Sequence, residues 1–288
     1  MQDMAIAVPG GHINVWLRPA EGGGATAVLV HGLSGNSRWW TSVIDHLPTG
    51  LGIIAMDVRG RGLSTDAPSP FDLTTVAHDI VRALDHLDVE RAIVAGYSMG
   101  GWVAALFGVD HPDRVDRLVL VDGGLPIPNP EGGTAEEIID AMVGPSLRRL
   151  EIEFDDPEAF FEYWKSHPAL TAHWDDAMRA GLGHELVDRG SGHMVRANPD
   201  AVRVGAEEIT LGVRPNEAGA LLEVPTHLIV VERGTLDQPG GMIPLEVAER
   251  ATAEVECLTM EYLADLNHYT LVLGAGAPAV AAAIASSG

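Results

Sequence analysis

A single cysteine, Cys257, leaves the chain unable to form an internal disulfide. That excludes the disulfide-stapled class of small secreted domain and suits a reducing compartment. Lysine is as scarce, with Lys165 alone, and all basic residues number 18 against 41 acidic ones, a formal net charge of −23. Phosphate backbones and anionic lipid surfaces are bound by clustered cations, so neither nucleic acid nor membrane is expected as a partner. The acidic residues are scattered rather than blocked and read as a solvated surface. No apolar run approaches the ~20 residues of a membrane-spanning helix. Met1-Gln2-Asp3-Met4 lacks the basic and apolar regions of a secretory leader, so a cytoplasmic location is expected. There is no zinc-type spacing and no internal repeat.

What the chain does have is apolar residues, 46% of 288, enough for a substantial core. Two extended runs flank Pro9-Gly10-Gly11, a hairpin signal. Short apolar segments at Ala25–Val30, Gly52–Met56, Arg91–Ala95 and Arg117–Val121 read as buried parallel strands. Between them lie helical patterns at Trp39–Leu47, Leu73–Leu87 and Gly101–Phe107. Such alternation is the signature of a doubly wound sheet. It breaks after Asp122-Gly123-Gly124: from Leu125 to about Pro215 no strand signal appears. Thr134-Ala135-Glu136-Glu137 is a capping box and Asp155-Asp156-Pro157-Glu158 a second helix start. Phe160, Phe161, Tyr163, Trp164 and Trp174 concentrate here, which reads as a helical cap, with one or two of these rings expected to touch substrate. Strands return at Thr226–Val231 and Val255–Met260, the latter holding Cys257, with helices expected at Pro244–Arg250 and from about Ala277.

The stretch that carries chemistry is Gly96-Tyr97-Ser98-Met99-Gly100, set between a strand and an apolar helix. A Gly-x-Ser-x-Gly in that context is a nucleophile elbow, a turn so tight that it lifts the serine hydroxyl clear of the sheet. In a chain with 33 glycines the pentapeptide alone is modest evidence; its setting makes it specific. A serine hydroxyl needs a base, and of the 12 histidines His268 alone follows the last strand, where a loop can carry imidazole onto Ser98. The loop Asp57-Val58-Arg59-Gly60-Arg61-Gly62-Leu63-Ser64 reads as tied together by an ion pair between Asp57 and Arg59.

Taken together, His31-Gly32 after a strand, the Asp57-x-Arg59-Gly60-x-Gly62-x-Ser64 loop, the elbow and the late Asn267-His268 resemble the α/β-hydrolase superfamily over nearly the whole chain. The order serine, acid, histidine agrees. The block Arg233-Gly234-x-Leu236-Asp237-x-Pro239-Gly240-Gly241 is similar to a bacterial subgroup of hydrolases with a helical cap. The resemblance implies an α/β fold: a mostly parallel doubly wound sheet with helices on both faces. It implies hydrolase core in residues 1–123 and 224–288 and a cap inserted over 124–223. His31 would brace the oxyanion loop, and the backbone N–H groups of Leu33 and Met99 would form the oxyanion hole. For the carboxylate that orients His268, Asp237 in Gly234-x-x-Asp237 is the leading candidate, with Asp122 after the elbow's neighbouring strand and Glu232 as alternatives.

The implied activity is hydrolysis of a small, partly apolar carboxylic ester, thioester or lactone through an acyl-enzyme. Ser98, His268 and Asp237 would be the triad, with no cofactor or metal, in a monomer or homodimer. Carbon–carbon bond hydrolysis and cofactor-free perhydrolysis would use the same residues. Serine rather than aspartate at position 98 argues against a dehalogenase or epoxide hydrolase. A ligand receptor on the same fold would need none of the triad.

Overall fold

The computed structural model describes residues 1–128 and 134–286. Residues 129–133 of the expected cap and 287–288 of the expected core therefore lie outside the described residues. The strands are β1 (Gln2–Val8), β2 (Gly11–Arg18), β3 (Thr26–Val30), β4 (Gly52–Met56), β5 (Ala92–Tyr97), β6 (Val115–Val121), β7 (Leu186–Asp188), β8 (His193–Val195), β9 (Thr226–Arg233) and β10 (Leu258–Asn267). Eight of them form one sheet in the order β1-β2-β4-β3-β5-β6-β9-β10. The β1–β2 hairpin and the β2–β4 pair are antiparallel, and every pair from β4 to β10 is parallel.

Because β3 has β4 on one side and β5 on the other, the chain reverses its winding there. In open α/β sheets such a switch point opens a crevice at the strands' carboxyl ends, and ligands bind in it. The loops leaving β3 and β5 are His31–Gly35 and the elbow, so topology alone brings the two glycine-rich segments side by side.

The helices are α1 (Thr41–Ile44), α2 (Leu73–His86), α3 (Met99–Asp110), α4 (Ala135–Arg149), α5 (Pro157–Lys165), α6 (Asp176–Gly183), α7 (Pro199–Leu211), α8 (Val213–Ala218), α9 (Leu245–Glu254), α10 (Thr270–Leu273) and α11 (Ala277–Ala285). All five residues of β3 and of β4 are buried, as unbroken apolar runs require when both faces of a sheet are covered. Alternation divides them. Val28, Ile54, Val94, Leu118 and Leu228 face α2, α3 and α9. Ala27, Leu29, Ile53, Ala95 and Val119 face α1, α11 and the aromatic residues that follow β6 in sequence. The elbow helix α3 is buried from Met99 through Gly108, which explains why it is apolar all round rather than amphipathic.

The stretch between β6 and β9 holds α4 to α8. The Thr134–Glu137 capping box opens α4, and Asp156 accepts the Ala159 amide to open α5; each such cap is worth about 1 kcal/mol. The expectation of no strand here is corrected by β7 and β8, a three-residue hairpin closed by a turn around Gly190. Strands this short fall below the length at which alternation can be read. Two further boundaries move. The helix expected over Trp39–Leu47 is a 3₁₀ turn, Ser37–Trp40, followed by the short α1. The last strand starts at Leu258, so Cys257 sits in the turn before it, with its thiol on the Leu222 carbonyl. Among the described residues no helix is long and apolar enough to cross a membrane.

Candidate active site

At the end of β5 the backbone turns through Ser98 at φ 54°, ψ −125°, and enters α3. A Cβ on Gly96 would lie 1.9 Å from the Gly100 carbonyl oxygen, and one on Gly100 would lie 2.1 Å from that of Val30. Both glycines are therefore steric requirements of the turn rather than flexible joints. The Ser98 amide donates to the Val121 carbonyl at 2.9 Å, binding the elbow to the last residue of β6. The hydroxyl opens on a cavity of about 60 Å³, lined among others by Leu33, Trp39, Met242, His268 and Tyr269. Its hydrogen-bond-range contact among the described residues is the thioether of Met242, 3.8 Å away.

His268 reaches this cavity from the loop after β10, with its side chain 5% exposed. Its amide donates to the Arg233 carbonyl at 3.1 Å, and its own carbonyl accepts from the Tyr97 hydroxyl at 3.0 Å. The Tyr97 ring packs on the imidazole at a centroid distance of 4.8 Å. Burial raises the Tyr97 phenol pKa, which keeps the hydroxyl a donor.

The imidazole's partner is Asp122. Its Oδ2 lies 2.6 Å from His268 Nδ1, and the carboxylate is fully buried. The residue follows directly on β6, in left-handed backbone at φ 46°, which aspartate tolerates well. Its amide donates to the Ile229 carbonyl at 2.8 Å.

The expectation for Asp237 is thereby corrected. Its carboxylate accepts from Arg233 Nε at 2.9 Å and from Asn267 Nδ2 at 3.0 Å, and its side chain stays 31% exposed. The pairing with Arg233 holds its pKa below the usual aspartate value. β9 and its loop run long enough to carry Asp237 past His268 to the preceding residue, Asn267. Glu232 is likewise engaged elsewhere, accepting the Asp265 amide at 2.8 Å.

The loop after β3 lies against the elbow: a Cβ on Gly32 would sit 3.1 Å from Ser98 Cβ and 3.4 Å from its Oγ. Two amides near this contact have no acceptor among the described residues. Leu33 N–H donates to no acceptor among the described residues, and Met99 is the first residue of α3, whose N–H has no partner inside the helix.

His31, fully buried, fixes the loop. The Val58 amide donates to its Nε2 at 3.0 Å, so the proton resides on Nδ1, which donates to the Gly32 carbonyl at 2.7 Å. The bond from Val58 needs a neutral ring, and burial pushes its pKa down from 6.5 to about 4.

Arg61, which no sequence pattern singles out, ties these parts together. Its guanidinium donates to the carbonyls of Leu33 (2.9 Å), Arg59 (2.8 Å) and Ala201 (2.8 Å), joining the β3 loop to α7. Burial lowers its pKa to about 9. The expected Asp57–Arg59 pair is not formed. Arg59 makes a bidentate, buried pair with Asp79 of α2, at 2.5 and 2.9 Å. Asp57 instead accepts from the amides of Ser37 and Leu63 and from Asn14. Asp79 belongs to a helical pattern that gave no sign of facing the loop.

Of the aromatic cluster, Phe160 is buried away from the cavities, whereas Tyr163 and Trp164 line a second cavity of about 80 Å³. Among the described residues no three His, Cys, Asp or Glu side chains converge as a metal site would require.

Comparison with known proteins places the chain in a family. The family model for the alpha/beta hydrolase fold matches residues 27–196, more than half of the chain. The chain belongs to the alpha/beta hydrolase fold family. An uncharacterised protein of Mycobacterium tuberculosis (strain ATCC 25618 / H37Rv) is 36% identical over 103 residues, 36% of this chain and 30% of the relative. The dihydrolipoyllysine-residue acetyltransferase component of the acetoin cleaving system of Cupriavidus necator is 38% identical over 102 residues, 35% of this chain and 27% of the relative. In both cases the chain spans under a third of the relative's length. Among solved structures, E-2-(acetamidomethylene)succinate hydrolase superposes with a TM-score of 0.79 at 21% identity, covering 94% of each chain. That likeness is one of fold.

Proposed function

We propose that this alpha/beta hydrolase is a serine hydrolase that opens a carboxylic ester, thioester or lactone through an acyl-enzyme, with residues 124–223 as its cap. The observation that carries the reading is the buried Asp122–His268 pair, 2.6 Å apart, in the cavity onto which Ser98 opens. In the proposed cycle Ser98 Oγ attacks the carbonyl carbon while His268 Nε2 takes its proton. Asp122 holds Nδ1–H and stabilises the imidazolium so formed. The amides of Leu33 and Met99 receive the oxyanion; one such donor is typically worth ~2.7–4 kcal/mol to the transition state. The imidazolium then protonates the departing alcohol or thiol. Water, deprotonated by the same ring, releases the acid and restores Ser98.

The test is hydrolysis of p-nitrophenyl acetate, butyrate and octanoate by the parent and by Ser98→Ala, beside labelling of Ser98 by a fluorophosphonate. Turnover and labelling that the alanine variant loses support the reading. A folded parent that neither turns over nor labels, yet binds small ligands, would replace the enzyme with a receptor.

A further inference from the structure

Resting on Ser98 as the nucleophile, we infer that the second cavity is a subsite for a carboxylate carried by the substrate. The substrate class is then a short ester or thioester with an anionic group on its acyl or alcohol part.

The two cavities adjoin, because Ser146, Thr235 and Tyr269 line both. They are small, about 60 and 80 Å³, which suits a chain of a few carbons rather than a fatty acyl group. Their charge is unusual for this molecule. The sequence carries 41 acidic residues, yet none lines either cavity, and the one formal charge on the walls is that of Arg149. An anion that reaches Ser98 therefore meets one cation on the walls, with the nearest carboxylates, Glu185 and Asp122, standing behind Arg149 and His268 and paired to them.

One lining residue also carries a donor with nothing to donate to. The Trp164 indole Nε1 is buried and has no hydrogen-bond partner among the described residues. His167 accepts the Ala169 amide at Nδ1, which leaves Nε2 as its donor atom, and burial lowers its pKa. A buried donor left unpaired is costly, and a carboxylate supplies lone-pair sites that can satisfy it.

Arg149 is held in place rather than mobile. Its guanidinium pairs with Glu185, donates from Nη2 to Ser34 Oγ at 3.0 Å and packs 4.8 Å from the Trp164 ring. A fixed cation loses little freedom on meeting a ligand, which favours recognition. Glu185 offsets part of that charge, and burial raises the pKa of its carboxyl. The pair thus sets how strongly an anion is drawn, and removing the Glu185 charge strengthens the attraction.

The experiment compares kcat/KM for monoethyl succinate against ethyl pentanoate, and for acetoxyacetate against propyl acetate, by pH-stat. The expected result is at least a tenfold preference for the anion in one pair, expressed mainly in KM. Arg149→Gln, shown folded by circular dichroism, should abolish the preference, Arg149→Lys should keep part of it, and Glu185→Gln should increase it. Turnover of the neutral esters with no anionic preference in either pair overturns the subsite. So does a preference that Arg149→Gln and Glu185→Gln leave unchanged. If no ester is turned over and the fluorophosphonate does not label Ser98, the nucleophile reading fails. The subsite is then decided by succinate alone, through thermal stabilisation present in the parent and absent in folded Arg149→Gln.

Discussion

Two loops leave the carboxyl edge of the sheet one strand apart, and each carries an aspartate in left-handed backbone: Asp122 after β6 at φ 46°, Asp237 after β9 at φ 62°. By local sequence the second is the better candidate to orient His268. The fold reverses this. Asp122 is fully buried, because its backbone is held between the elbow, whose Ser98 amide binds Val121, and β9, whose Ile229 carbonyl takes its own amide. Asp237 rides on an excursion of the chain, partly solvated and neutralised by Arg233. It reaches Asn267, one residue short of the imidazole. A carboxylate can orient a catalytic base only where neighbouring strands fix it and water does not compete. Proximity in sequence to a familiar pattern does not supply that.

The sharpest way to break the comparison is to neutralise each acid in turn. On the proposed triad, Asp122→Asn should lower kcat by up to ~10⁴-fold, because an amide favours the wrong imidazole tautomer. Asp237→Asn should stay within about threefold, since its contacts lie outside the reacting groups. Ester kinetics on both variants decide the matter, and equal losses would return Asp237 to the triad.

The interlocked side of the site should also be the acid-sensitive one. His31 has a pKa of about 4 when folded against 6.5 when free, so between those values the unfolded chain binds the extra proton. Its contribution is intact above pH ~6.5 and drains as the pH falls toward 4, by an amount of order 3 kcal/mol. Urea midpoints at pH 7 and pH 4.5 should show this fall in the parent and a shallower one in His31→Gln; parallel curves would exclude it.

A third variant probes how closely the β3 loop must approach the serine. Gly32→Ala places a methyl 3.1 Å from Ser98 Cβ, so kcat should fall by ~10- to 100-fold through displacement of reacting atoms. The melting temperature should change little. The smallest effect belongs to the exposed side. Arg233→Gln breaks a solvent-exposed pair and should lower the midpoint of a denaturant titration only slightly.

Much of this is legible in the sequence. Strands β3 to β6 announced themselves as unbroken apolar runs, because burial on both faces demands it. The elbow was legible because a turn that tight admits glycine alone at positions 96 and 100, and His268 because it alone among the histidines follows the last strand. The partners of charged residues were not legible. Asp57 and Arg59, two residues apart, suggest a local pair, but Arg59 finds Asp79 on α2 while Asp57 gathers amides. Arg61 carried no pattern at all, since its acceptors are backbone carbonyls, which every sequence possesses.

By itself, then, the sequence determined the fold class, the glycine-flanked turn at Ser98 and the candidate base, because these follow from local sterics and from the periodicity of burial. Only the tertiary structure decided which acid faces His268, which cation stands beside the cavity and which loops Arg61 joins. Those choices depend on how strand ends align across the sheet and on which charges the packed chain removes from water, and neither is written in any one stretch of residues.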